Sequence, residues 1–317
     1  MIAADRQSGD AADRNKDPAA ARRPSWELEP GAEIAPGRSV LKPLGGGSAY
    51  EVFLVWDERL LAVMVAKVLR PDHAKDERAL RDLGREAEAL TRLAHPVLVR
   101  GFDAVLSGPY PHVLIEHLEG PTLRRLVKRG GPLPPEQLLP LIAHVAAALH
   151  YMAVEQMVHL DVKPANIIMG VPPRLIDLSV ARGFERAARM SGPIGTDPYM
   201  APEQCDPRGG RGVVGPPADV WGLGATTWWS LTGHAPFPRE KDARDSDDLF
   251  VRFPQLREAP RPLPGRVPAP VREILERMLD PDPEQRPTAR QVVEHLEPVI
   301  AAMPQRLVLA KRGARFR

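Results

Sequence analysis

The chain has 317 residues, 43% of them hydrophobic, enough to build a core for one large two-lobed domain or two smaller ones. Its 43 Lys and Arg against 41 Asp and Glu leave a net charge of only +2, so no global basic field argues for a nucleic-acid or membrane-surface partner. The single cysteine, Cys205, excludes an intramolecular disulfide and a cysteine-based zinc cluster, and fits a reducing compartment.

Residues 1–36 combine Ala, Asp, Arg and Pro with little apolar periodicity and are expected to form a disordered tail. Met1 to Asp10 lack the basic-then-apolar pattern of a secretory signal, which points to a cytoplasmic protein. From Ser39 onward, short apolar runs at 40–44, 52–56 and 62–69 predict three antiparallel strands. Between the first two lies Gly45-Gly46-Gly47-Ser48-Ala49-Tyr50-Glu51-Val52. Without side chains, Gly45 and Gly47 would let backbone N–H groups approach a phosphate; taken alone, the triplet reads rather as a flexible hairpin turn.

In the third strand Lys67 stands between Ala66 and Val68, so its ammonium needs a partner or must snorkel to a strand edge. Residues 76–93 have helical spacing, with Leu80, Leu83, Ala87 and Leu90 on one face and Glu86 beside it. Glu86 faces Lys67 if helix and strand pack together, and is otherwise a solvated helix glutamate. His95-Pro96 ends the helix, and runs at 97–106 and 111–118 complete a five-stranded sheet with one helix.

After Gly120 the pattern turns helical. Thr122 is an N-cap for residues 123–129, and a long apolar helix follows from 135 to about 156. Pro140, His144, His150 and Glu155 in this run argue for a buried helix and no membrane span. Directly behind it stands His159-Leu160-Asp161-Val162-Lys163-Pro164-Ala165-Asn166. In extended backbone Asp161 and Lys163 project to the same side, and Pro164 stiffens the path to Asn166. Alone, such an octapeptide reads as a solvated turn.

A short strand at 167–169, a turn at Pro172-Pro173 and a second strand lead to Asp177, placed to bind a cation. Residues 178–203 lack strong periodicity and carry Gly183, Gly192, Pro193 and Gly195, which predicts a long functional loop closing on Thr196 and Ala201-Pro202-Glu203. A Pro/Gly-rich insertion at 207–217 precedes a central helix opening at Asp219, and further helices are expected at 270–279 and 289–296. Residues 301–317 form a basic tail with Arg306, Lys311, Arg312, Arg315 and Arg317.

In this order, the Gly-rich loop, strand lysine, helix glutamate, Asp-x-Lys-Pro-x-Asn, strand-ending Asp177 and Ala201-Pro202-Glu203 resemble the eukaryotic-like (Hanks-type) Ser/Thr protein kinase family of bacteria, over roughly residues 38–298. The resemblance implies an α+β, two-lobed fold. Its N-lobe, residues 37–119, would hold a five-stranded antiparallel sheet and one helix, and its C-lobe, 120–300, would be mainly α-helical. The implied cofactors are ATP and Mg²⁺, with Mn²⁺ as a substitute, and the implied partners are proteins carrying Ser or Thr acceptors.

By the same resemblance, Leu44, Gly45, Gly47 and Val52 cover ATP, and Ala66 and Ile168 sandwich the adenine. Ile115 takes the gatekeeper position, and Glu116 to Leu118 form the adenine-binding hinge. Lys67, held by Glu86, would grip the α- and β-phosphates, while Asn166 and Asp177 hold the metal. Asp161 would orient the substrate hydroxyl and accept its proton, and Lys163 would neutralise charge on the γ-phosphoryl group. Thr196 would join Asp161 and Lys163 near the substrate; Glu203, paired with Arg286, and Asp219 would be structural.

Three departures stand out. Leu160 replaces the arginine that receives an activation-loop phosphate in many kinases, so Ser191 lacks an evident charge-assisted anchor and activity without loop phosphorylation is expected. Asp177-Leu178-Ser179 stands where Asp-Phe-Gly is commoner, with Leu90 and His159 as expected neighbours of Leu178. Tyr50 occupies the place of the third loop glycine. These departures motivate an alternative, a pseudokinase acting as an ATP-binding or scaffold module. A small-molecule kinase of related fold fits less well, because Thr196 and Ala201-Pro202-Glu203 look like a protein-substrate platform.

Overall fold

Side-chain alternation organises the first third of the chain in the computed structural model, which describes residues 23–303. Six strands pair antiparallel in the order β1-β2-β3-β4-β6-β5: β1 (Glu33–Ala35), β2 (Arg38–Gly46), β3 (Tyr50–Asp57), β4 (Ala62–Leu69), β5 (Gly101–Val105) and β6 (His112–Glu116). One face carries Val40, Phe53, Val55, Met64, Ala66, Val68 and Leu114, which pack into an upper core. Because successive strand residues point to opposite faces, Val65, Lys67 and Leu69 face the other way, with Val52 directly opposite Lys67.

Helix α1 (Glu77–Arg92) starts at Asp76, whose side chain accepts from the Arg78 N–H, and packs against β5 and β6. It buries Leu83, Leu90 and the carboxylate-bearing Glu86.

The sheet differs from expectation at its edge. Residues 23–36, assigned by composition to a disordered tail, are built into the lobe. Ile34 is buried in the upper core, β1 pairs with β2, and Trp26 packs edge-on against Tyr110 with ring centroids 4.8 Å apart. An average over 36 residues dominated by Ala and charged side chains hides Trp26, whose partner Tyr110 lies far along the chain, and Ile34. Residues 1–22 of the expected N-terminal tail, and 304–317 of the basic C-terminal tail, lie outside the described residues.

The second lobe is mainly helical. α2 (Leu123–Gly130) is capped by Thr122, which accepts from the Arg125 N–H. α3 (Pro135–Val154) is long and apolar enough to cross a membrane by length and composition, yet it packs between α6 (Pro216–Thr232) and α9 (Ala289–Ala301) with Leu138, Leu139, Ile142 and Val145 buried. α8 (Ala269–Met278) closes this core against α6 and α9.

Between α3 and α6 run short pieces that carry the polar residues. They are β7 (Met157–Val158), β8 (Ile167–Ile168), β9 (Arg174–Leu175), β10 (Arg182–Gly183), α4 (Phe184–Ala188) and α5 (Pro202–Cys205); α7 (Leu249–Arg252) follows α6. The stretch 178–203 is thus less irregular than its sequence suggests. β10 pairs with β7, a partner over twenty residues upstream, and two-residue strands leave no periodicity to read.

Candidate active site

The ammonium of Lys67 finds the partner its apolar strand demands. Its Nζ donates to Glu86 Oε1 at 2.8 Å and Oε2 at 3.0 Å, and to Asp177 Oδ1 at 2.8 Å. Burial acts against the lysine charge, but the two carboxylates outweigh it and hold Lys67 above the usual lysine range. Burial likewise acts to raise Asp177, and the Lys67 charge and hydrogen bond overcome it, holding this carboxyl well below the usual range. Glu86, wholly buried on α1, is pushed up by desolvation against the pull of Lys67. Three groups from β4, α1 and the turn after β9 are therefore locked in one ionic cluster.

The loop behind β7 gathers a second cluster. Lys163 Nζ lies 2.6 Å from Asp161 Oδ2 and 2.8 Å from Thr196 Oγ1, and the Thr196 hydroxyl donates to Asp161 Oδ1 at 2.7 Å. Asn166 Nδ2 donates to the Asp161 carbonyl at 3.0 Å and to its Oδ2 at 3.1 Å. The loop is clamped from below by buried Asp219 on α6, whose two oxygens accept from the His159 and Leu160 N–H groups at 2.7 Å each. Burial raises the Asp219 carboxyl, with His159 and these two donors pulling the other way.

Two non-glycine residues here adopt left-handed backbone, Leu160 at φ 63° and Asp177 at φ 70°. Each such residue stores on the order of 1–3 kcal/mol, sustained only where surrounding contacts over-determine it.

Gln204, which the sequence did not single out, ties this loop to the end of segment 178–203. Its Nε2 donates to the carbonyls of Leu160 and Ile194 at 3.0 Å each, and its Oε1 accepts from the Ala201 N–H. Gly195 at φ +130° permits that approach, since a Cβ there would meet Leu160 O at 2.8 Å. Below, Glu203 and Arg286 form a fully buried bidentate pair at 2.7 and 2.9 Å, and the Arg286 guanidinium lies over the Trp221 ring.

Above Lys67, the β2–β3 hairpin folds over the cleft. Gly45 and Gly47 are in open space, whereas Gly46, at φ +157°, allows no side chain because a Cβ would meet Tyr50 O at 2.4 Å. Tyr50 points into the cleft with the Lys67 Nζ 4.5 Å from its ring centroid, and burial pushes its hydroxyl up to about 12. Leu44 is exposed.

Ile115 pairs with Val65 across β4 and β6 and so shares the cleft face of Lys67. Glu116 turns its carboxylate to Arg174 and the Arg100 N–H, Leu118 is half-buried beside it, and Ile168 sits in β8.

The expectation for Ala66 is overturned. It is fully buried and faces the upper core, because it stands one residue from Lys67 and the pleat has a period of two. Val65, two residues from Lys67, takes the cleft-facing place, and strict alternation would have found it.

Leu160 is buried and brings no charge to the loop, and Leu178 is buried in the same core cluster as Leu90. Ser191 is exposed. The lone thiol, Cys205, is buried and raised well above its usual range by desolvation, which removes it from nucleophilic chemistry.

Among the described residues no three His, Cys, Asp or Glu side chains converge as a self-contained metal site. The carboxylate of Asp177 and the amide of Asn166 suit a hard cation that takes its remaining ligands from water and phosphate oxygens.

Two lobes enclosing an ion-paired strand lysine, an acid-lysine-amide loop and a threonine docked on that acid define a protein of the kinase class. The chain belongs to the protein kinase family: residues 38–296 match the protein kinase domain. It is 32% identical over 255 residues to serine/threonine-protein kinase PknB of Mycobacterium leprae, covering 77% of this chain and 39% of that protein. It is 31% identical over 258 residues to serine/threonine-protein kinase PkaA of Streptomyces coelicolor, covering 78% and 45%. A probable serine/threonine-protein kinase of Thermomonospora curvata, PkwA, is 32% identical over 274 residues, covering 85% and 35%. The chain spans less than half the length of each of these relatives.

Proposed function

We propose that this protein transfers the γ-phosphoryl group of Mg-ATP to serine or threonine hydroxyls of proteins, and does so without a phosphate on its own activation segment. The observation that carries the reading is the Asp161–Lys163–Thr196 triangle, three groups from two distant segments within 2.8 Å of one another.

When bound, Mg-ATP supplies the phosphoryl group and the metal charge; the chain supplies position and electrostatics. Lys67, braced by Glu86, offers a fixed positive charge to phosphate oxygens. Asp177 and Asn166 supply oxygen ligands for the cation. Asp161 accepts the proton of the acceptor hydroxyl, and Lys163 places its charge beside the same spot. Thr196 holds Asp161 in orientation and marks the edge of the substrate platform.

Purified protein with Mg-ATP and a generic basic protein substrate tests the reading. The expected result is transfer to Ser or Thr, reduced by about 10²–10⁴ in Asp161→Asn. Equal signal from both proteins would sink it. One observation favours a second reading, a pseudokinase acting as an ATP-binding or scaffold module without efficient transfer: the Tyr50 ring centroid lies 4.5 Å from the Lys67 Nζ and crowds the charge that phosphates would have to meet. Nucleotide binding without transfer in the wild type would select that reading.

A further inference from the structure

Residues 24–26 lie outside the matched kinase span, yet they hold the nucleotide-covering hairpin directly at Glu51 and, through Arg70, at Gly47. On one arm, Ser25 Oγ donates to Glu51 Oε1 at 2.7 Å and the Trp26 N–H donates to Glu51 Oε2 at 2.9 Å. Glu51 is buried and sits between Tyr50 and Val52 on β3. On the other arm, Arg70 reaches from the end of β4 to both partners: its Nε donates to Gly47 O at 2.9 Å, and its Nη1 donates to Pro24 O at 2.9 Å. The Arg70 N–H also holds Ala49 O, and its guanidinium lies 3.6 Å from Glu51. Trp26 fixes the whole device by donating its indole N–H to Leu69 O at 2.7 Å, two residues beyond Lys67.

We propose that Pro24-Ser25-Trp26 is a clamp that positions the Gly-rich hairpin and thereby sets the affinity for ATP. The inference rests on the kinase reading. A loop with three consecutive glycines has much conformational freedom to lose when it closes on a phosphate. Holding both arms beforehand removes part of that loss from the binding step, and preorganisation of this kind appears as affinity. Ser25, Trp26 and Glu51 are positioning residues: Ser25 and Glu51 act through the backbone of residues 47–52, and the Trp26 indole anchors residues 24–26 to the end of β4.

The test uses the full chain and three variants, Ser25→Ala, Trp26→Ala and Ser25→Thr. It measures Mg-ATP Kd by titration calorimetry, KM for ATP, kcat at saturating ATP, KM for the protein substrate and thermal unfolding. A lost hydrogen bond worth about 1 kcal/mol corresponds to about fivefold in affinity. Ser25→Ala and Trp26→Ala are therefore expected to raise Kd and KM for ATP by about that factor. kcat and the protein-substrate KM should stay near wild type, and Ser25→Thr, which keeps the hydroxyl, should bind as wild type does.

Wild-type Kd in both alanine variants, even with a lowered unfolding temperature, would show mere packing and overturn the clamp. A fall in kcat at constant KM would overturn it as well. A wild type that binds no Mg-ATP would overturn the kinase reading and the clamp together, and that arm is read before any variant.

Discussion

At Lys67 the site is electrostatically complete before any nucleotide arrives. Two carboxylates occupy its donors and the Tyr50 ring covers a further face. A phosphate oxygen can reach the ammonium only if one neighbour yields. Glu86 is buried beside it and Asp177 is suited to the cation, so Tyr50 is the group expected to move. A lysine–ring contact of this kind is worth about 0.5–1 kcal/mol, more when desolvated. Tyr50→Ala should therefore tighten Mg-ATP binding by about two- to fivefold in calorimetry. Tyr50→Phe, which keeps the ring and loses only the hydroxyl, should match the wild type. Weaker binding by Tyr50→Ala would mean that the ring instead supports the phosphates.

Among elements, those with strong periodicity were legible and those made by distant pairing were not. α1, α3 and the capped start of α2 follow from apolar spacing and from Asp76 or Thr122 at their N-termini. β1, β10 and the clamp at Trp26 depend on partners more than twenty residues away in two of the three cases, and no local pattern announces them. Ala66 and Val65 show a different limit, where motif order located the strand but only the pleat decides which residue faces the cleft. Gln204 was invisible because its role consists of two carbonyls brought near by the fold.

The buried Glu203–Arg286 pair links α5 to the approach of α9 and gives an element-scale prediction. Arg286→Ala strands a buried carboxylate and should cost about 3–5 kcal/mol in urea unfolding. Combining Arg286→Met with Glu203→Leu removes both charges and should recover much of that loss. A double variant as unstable as Arg286→Ala would place the cost in packing over Trp221 rather than in the stranded charge.

At the scale of the whole molecule, phosphorylation of an activation segment can raise activity only by favouring a state the unmodified protein does not already occupy. The features such a phosphate governs in protein kinases are the strand lysine–helix glutamate pair and the inward metal-binding aspartate. Here both are formed, Thr196 is docked on Asp161, and Gln204 fastens the segment to the loop. Leu160, buried and uncharged, gives a phosphate nothing to pull on at the catalytic loop.

Positive charge gathers elsewhere, with Arg85 already paired to Asp82. Burial and mutual repulsion lower Arg85 on α1 and Arg182 on β10, with Arg186 on α4 contributing to both. A phosphate brought to these arginines would relieve that repulsion. The rate should change by no more than about twofold, because the contacts a phosphate would favour are already formed without it. The check is a comparison of phosphatase-treated, autophosphorylated and Ser191→Ala protein, with initial rates and unfolding temperatures measured on each. Equal rates for the three proteins are expected. A phosphatase-treated enzyme that is inactive until Ser191 is modified would show that the docked arrangement is a minor state.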